Sequence, residues 1–198
     1  MILFFDTETT GFPDEALSIT DSRQPHLVQL AALLTDTGGT ERGSMSVVIR
    51  PTDGYEIPNN AAAIHGITTE LAKKYGVPLE AVMRIFDGLM SRTLKVAAHN
   101  IAFDKRIMEI SARRAGMDQV PWPHQPDLIC TMDRCRSIVQ MPPTSRMLAA
   151  GFKGWKSPKL EEAYRHFFGE DLVNAHDAMA DVRACARLFF HLQNMEAA

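Results

Sequence analysis

A chain of 198 residues has the length of one domain, and its 45% hydrophobic content can supply a core without disulfide staples. A net charge of −3 argues against a protein that coats long nucleic acid through bulk positive charge, but not against an enzyme that grips only a strand end. Cys130, Cys135 and Cys185 form no CxxC pair, which disfavours a zinc site and points to reduced thiols in the cytoplasm. The apolar run at the N-terminus stops at Asp6 without a basic leader, and no apolar stretch approaches a membrane span, so no signal peptide and no membrane partner are expected.

Ile2-Leu3-Phe4-Phe5 reads as a buried central strand. Residues 12–26 are polar with two prolines and read as a loop. Leu27 to Thr35 and Ser44 to Arg50 are the next strands, with Asp36-Thr37-Gly38-Gly39 as a hairpin-type turn. These three strands, closely connected, predict an antiparallel meander. Thr68 caps a helix through Lys74 that Gly76 ends. A second helix spans Leu79 to Ser91, with Val82, Ile85, Phe86 and Leu89 as its apolar face. Leu94 to Ala98 is a fourth strand, followed by a helix from Ile101 to Ala115 that Asn100 is placed to cap. Asp127 to Thr131 is a fifth strand. Ser157 and Pro158 form a cap and first helical position for a helix whose apolar face is Leu160, Tyr164, Phe167 and Phe168. Asn174 caps the last helix, with Val182, Cys185, Phe189 and Leu192 facing inward. The order of elements predicts a single α/β domain, residues 1–198, with a mixed sheet.

Three stretches carry chemistry. Asp6 and Glu8 lie two apart at the end of the first strand, so their side chains project from one face. Two such carboxylates repel unless a cation lies between them, and hard oxygen ligands suit Mg²⁺ or Mn²⁺. Gly11, after Thr9 and Thr10, permits a tight turn there. Asp104 falls in the first turn of a helix that follows a strand, where open α/β sheets gather ligand groups. His176 and Asp181 are five apart near the start of the last helix. On a helix this leaves them about 140° apart, which separates a metal ligand, Asp181, from a general base, His176. Between Arg134 and Lys159 six basic residues and no acidic one are interleaved with Phe152 and Trp155, a pattern that suits an approaching single strand.

Together, Asp6-Thr7-Glu8-Thr9-Thr10-Gly11, His99-Asn100-Ile101-Ala102-Phe103-Asp104 and His176 to Asp181 resemble the three motifs of the DEDDh 3′–5′ exonucleases. This group includes the proofreading subunits of bacterial replicative polymerases. The resemblance spans nearly the whole chain. Asp177, four before Asp181, occupies the position of the tyrosine in the sister subgroup, so the histidine subgroup is the match. Ile64-His65-Gly66-Ile67 is similar to a family segment that touches the terminal nucleotide.

The resemblance implies a ribonuclease H-like domain with a central mixed five-stranded sheet flanked by helices. It implies two divalent cations, Mg²⁺ or Mn²⁺, held by Asp6, Glu8, Asp104 and Asp181, with His176 as general base. Thr9, Thr10, His65, Asn100 and Phe103 are the expected nucleotide contacts. The implied reaction releases nucleoside 5′-monophosphates from the 3′ end of single-stranded DNA, with RNA trimming or oligoribonuclease activity as the alternative. The expected partner is a nucleic acid with a free 3′ end. The sequence ends soon after the last helix, without the polymerase-binding extension of the proofreading subunit, which puts such a partnership in doubt; a homodimer is compatible with the family. Phe4 to Thr9 also loosely resembles the aspartyl-phosphate motif of haloacid-dehalogenase-type phosphatases, but Glu8 stands where that family needs Asp.

Overall fold

Four apolar residues seed strand β1 (Ile2–Thr9). The computed structural model, which describes residues 1–52, 54–123 and 127–197, places β1 at the centre of a five-stranded sheet. The sheet also contains β2 (Leu27–Thr35), β3 (Glu41–Val48), β4 (Lys95–Ala98) and β5 (Leu128–Cys130), in the order β3-β2-β1-β4-β5. β1, β2 and β3 form the expected antiparallel meander, while β4 pairs parallel to both β1 and β5. β3 begins before the predicted Ser44. The Asp36 side chain accepts from the N–H groups of Gly38 and Thr40 and tightens the turn, so pairing starts at Thr35 and Glu41.

Strand alternation sends the two halves of β1 into different cores. Leu3 and Phe5 pack against α3 (Leu79–Met90) and α4 (Ile101–Arg114). Ile2 and Phe4 pack against Val182, Cys185 and Phe189 of α8 (Ala178–Ala197). Phe4 and Phe5 are fully buried, each contributing ~2–3 kcal/mol by removal of its ring from water. On α3 the buried stripe is Val82, Met83, Phe86 and Met90; Ile85, expected on it, is 52% exposed. One layer thus covers each face of the sheet, and β1 runs between them.

The remaining helices are α1 (Asn59–His65), α2 (Thr69–Tyr75), α5 (Thr131–Val139), α6 (Ser145–Ala149) and α7 (Leu160–Phe168). Thr68 caps α2 by accepting from Leu71 N–H, as its sequence suggests. Three predicted helix caps differ. Asn100 makes no side-chain cap; it takes a left-handed backbone (φ 75) that asparagine tolerates, and so turns the chain from β4 into α4. α7 starts at Leu160, not Pro158, because the Pro158 carbonyl is held by His99 Nε2 and the Ser157 hydroxyl by Arg136. The cap of α8 is Asp177 rather than Asn174: its carboxylate accepts from Met179 and Ala180 N–H. All three cysteines are free, with Cys135 and Cys185 buried. Among the described residues no helix is long and apolar enough to cross a membrane.

Candidate active site

β4 stops pairing with β1 at Ala97 opposite Phe4, and the chain turns away into α4. Residues 5–9 of β1 therefore extend past their parallel neighbour and leave backbone donors on that edge. Asp104, in the first turn of α4, fills the gap. Its Oδ1 accepts both the N–H and the hydroxyl of Thr7, at 3.0 and 2.7 Å. Thr7 alternates with Asp6 and Glu8, so Asp104 meets β1 from the α4 layer while Asp6 and Glu8 face the α8 layer. Both Thr7 and Asp104 are buried.

The third motif is built differently from its expected helix. His176 lies two residues before α8 with φ 70, and Asn174 is also left-handed. The bend folds the chain back so that His176 N–H donates to Asp181 Oδ2 at 3.1 Å. The five-residue spacing therefore does not set the two residues apart by helix phase. Glu8, His176 and Asp181 each present one ligand atom within 4.8 Å of the others.

These acids share one desolvated place. Burial, then the charges of Asp104, Asp181 and Glu8, push the Asp6 carboxyl well above the usual range. Burial and the charge of Asp181 raise Glu8 to about 8. Burial raises Asp104 to about 7 against the pull of its Thr7 hydrogen bonds, and Asp181 to about 6 against that of His176 N–H. Four carboxyls that each resist ionisation call for positive charge among them. Asp181 Oδ1 is buried and without a hydrogen-bond partner among the described residues, as a ligand oxygen would be. The donor set, all hard oxygens with one imidazole at the rim, fits divalent cations of the Mg²⁺ or Mn²⁺ kind.

Beside the carboxylates a cleft of about 210 Å³ is lined by Glu8, Thr9, Thr10, Phe12, Ile64, His65 and Phe103. Thr10 holds the cleft's floor: its N–H bonds to His26 O and its hydroxyl accepts from His26 N–H. Thr9 Oγ1 donates to the Gly11 carbonyl. Gly11 needs no glycine conformation, and a Cβ there would meet nothing within 4 Å. His65 ends α1. Its Nδ1 accepts from Ile67 N–H, which leaves the proton on Nε2, and burial holds the ring's pKa down in the neutral form. Nε2 is itself buried, and hydrogen bonding to the Thr9 backbone works against that burial by favouring the charged ring. Phe103 packs partly on the core and partly on the cleft. Asn100 is exposed and lies outside the cleft lining. Sequence reasoning passed over Thr7 and Phe12, and it placed Ile64 only as part of the segment around His65. The available signal for Phe12 was a large apolar residue opening an otherwise polar loop; it is 88% exposed and meets Phe103 edge-on, centroids 5.9 Å apart.

A family model described as RNase_T, Exonuclease, matches residues 3–189. An uncharacterized exonuclease, CP81, of Escherichia phage 186 is 27% identical over 183 residues, covering 91% of this chain and 82% of its own. The fold superposes on E. coli Exonuclease I in complex with a dT13 oligonucleotide with a TM-score of 0.77 at 24% identity. It also superposes on apo Exonuclease I, with a TM-score of 0.71 at 25% identity over 94% of this chain. The first of these matches covers 99% of this chain but 41% of Exonuclease I, so the chain spans about two fifths of that protein's length. The match leaves no place for the phosphatase reading of the Asp6 motif. The chain belongs to the RNase_T exonuclease family, of DEDDh type within the ribonuclease H-like superfamily, and is a nuclease of the hydrolase class.

Proposed function

We propose that residues 1–198 form one exonuclease domain that removes nucleoside 5′-monophosphates stepwise from the 3′ end of single-stranded DNA. The observation that carries this reading is the convergence of four carboxyls of raised pKa with His176 beside a cleft of about 210 Å³. Asp6, Glu8, Asp104 and Asp181 hold two divalent cations, Mg²⁺ or Mn²⁺. When bound, the cations neutralise the carboxylates and the charge that grows on the scissile phosphate. His176 takes the proton of the attacking water as its oxygen adds to phosphorus, and the P–O3′ bond breaks to release the upstream 3′-oxygen, which takes a proton from solvent water to become the 3′-hydroxyl. His176 is exposed at the rim, where water arrives, while the Asp177 cap and the bond to Asp181 fix its backbone.

Thr9, Thr10, His65 and Phe103, with Phe12 and Ile64, receive the terminal nucleotide. His65 lines the cleft wall beside Thr9, and the aromatic rings stack without regard to base identity. Solved structures of Exonuclease I hold dT13 and dA16 oligonucleotides, which supports DNA over RNA. The three free thiols fit a reducing compartment such as the cytoplasm. Product analysis on 5′- and 3′-labelled DNA and RNA oligomers, with Mn²⁺ and EDTA arms, tests all of this. Mononucleotides from the 3′ end of DNA in Mn²⁺ alone are expected. Release from the 5′ end, equal rates on RNA, or cleavage in EDTA would each overturn the corresponding part.

A further inference from the structure

Between α5 and α7, residues 141–159 form an arm that the site described above does not use. The arm is built rather than slack. α6 ends in a Schellman motif: Gly151 is left-handed (φ 80), its N–H bonds to Leu148 O, and Phe152 N–H bonds to Met147 O at 2.9 Å. That fixes Phe152, whose ring lies against Gly154; a Cβ at Gly154 would come within 3.2 Å of it. Trp155 is followed by Lys156, which closes the arm through an antiparallel bridge to Met141. Despite this order, Leu148, Phe152 and Trp155 stay 53%, 53% and 47% exposed. The Phe152 ring, set by the turn, and Trp155 three residues on offer two exposed aromatic surfaces on one short arm.

The charges sort the same way. Residues 134–159 carry six basic side chains and no acidic one. Arg134, Arg136, Lys156 and Lys159 are paired with Glu196, Asp133, Glu162 and Glu161. Arg146 and Lys153, both exposed, take no carboxylate among the described residues; Arg146 precedes both rings in sequence and Lys153 lies between them.

The arm is tied to the catalytic end of the sheet. Pro158 O accepts from His99 Nε2 at 3.0 Å, and His99 directly precedes the turn into α4 and Asp104. Glu161, just beyond, is near enough to Asp181 to act on its charge. Trp155 is three residues from Pro158, so at most about 11 Å of chain separates them.

We propose that this arm carries single-stranded DNA upstream of the 3′ nucleotide, with Phe152 and Trp155 stacking on unpaired bases and Arg146 and Lys153 contacting phosphates. Exposed rings interleaved with two uncompensated cations match a strand with bare bases and a charged backbone. The proposal rests on the exonuclease reading for the direction of the strand, but it makes its own claim about binding.

Fluorescence anisotropy in EDTA, with 5′-labelled DNA of 4 and 24 nucleotides, tests it without cleavage. Phe152→Ala/Trp155→Ala is expected to lose about 10- to 100-fold affinity for the 24-mer and less than about threefold for the 4-mer. Arg146→Ala/Lys153→Ala is expected to reduce the slope of log Kd against log salt by about 1.4. Unchanged 24-mer affinity and slope would overturn the proposal and leave the rings as a protein contact. Should a variant fail to fold, photo-cross-linking of bromodeoxyuridine-substituted DNA to the unmodified protein decides. Adducts within residues 146–155 support the arm, and adducts confined elsewhere reject it. Binding through the arm with no nucleotide release would sink the exonuclease reading alone. Nucleotide release with intact affinity in the arm variants would sink the arm alone.

Discussion

Thr7 gives both its backbone N–H and its hydroxyl to one oxygen of Asp104. A residue between two strand carboxylates thereby aims a third carboxylate that arrives from the opposite layer. Thr7→Val keeps the shape and the backbone bond but removes a hydrogen bond to a charged group, worth about 1.5–3 kcal/mol. Each 1.4 kcal/mol is a factor of ten, so half-maximal Mn²⁺ for nucleotide release should rise about tenfold or more. A Mn²⁺ titration of Thr7→Val that overlays the parent protein would show that the hydroxyl does not hold Asp104 for metal.

The clustered acids make stability depend on pH in an unusual direction. Glu8, Asp104 and Asp181 have folded values of about 8, 7 and 6, above their unfolded values. The folded state then binds more protons than the unfolded chain between about pH 4 and 8, so metal-free stability falls as pH rises through that window. His65 and His99 have lowered values and act in the opposite sense, so the comparison should be made within one site. Glu8→Gln removes one buried charge. Discounted for its remaining solvent contact, it should stabilise the EDTA-treated protein at pH 8 by ~2 kcal/mol, or about 4–8 °C in Tm. At pH 5 the gain should vanish, and Mn²⁺ should reverse the order at pH 8. Equal Tm gains at pH 5 and 8 would show that the site does not hold its acids in this way.

His176 stands at a left-handed position within reach of Glu8 and Asp181, which makes proton acceptor and ligand rival roles. Alanine would strain the backbone as well as remove the ring, whereas asparagine tolerates the conformation. His176→Asn should therefore retain its fold and hold Mn²⁺ within about threefold of the parent. Its turnover should fall about 10²- to 10⁴-fold, the usual worth of a positioned base. Isothermal titration with Mn²⁺ separates the two roles. A large loss of Mn²⁺ affinity in His176→Asn would make the imidazole a ligand.

Much of this site was legible because its signals are local. The Ile2–Phe5 run, the two-residue step from Asp6 to Glu8 and the placement of Asp104 after β4 each follow from strand alternation or helix order. The sheet and its five strands followed from the same patterns. Other parts were hidden because they depend on long-range partners. Pro158 reads as a helix start until His99 takes its carbonyl, and Asn100 reads as a cap until its φ is known. The His176–Asp181 contact needs two left-handed residues that are neither glycines nor flagged by periodicity. α1, α5 and α6 are short or begin without a linker, so their apolar spacing is too brief to stand out. The role of Thr7 emerges only when α4 is seen packed on the other face of β1.

Phe12 offers a test in which binding and stability come apart. It is 88% exposed, so removing its ring should change stability by no more than an ordinary surface substitution does, about 0.5 kcal/mol. Phe103 lacks this property because part of it packs on the core, and its loss would confound the two effects. Phe12 meets Phe103 edge-on at the cleft and leaves its own face to a ligand. Stacking of one base on such a ring is worth ~1–3 kcal/mol. Phe12→Ala should thus raise KM for single-stranded 3′ ends by about tenfold with Tm unchanged, and Phe12→Trp should restore most of the loss. A duplex end should suffer more than a single strand, since fraying the last pair relies on the ring to receive the freed base. If Phe12→Ala kept its KM on both substrates, the ring would be a bystander and the terminal base would have to be held by Ile64 and Phe103 alone.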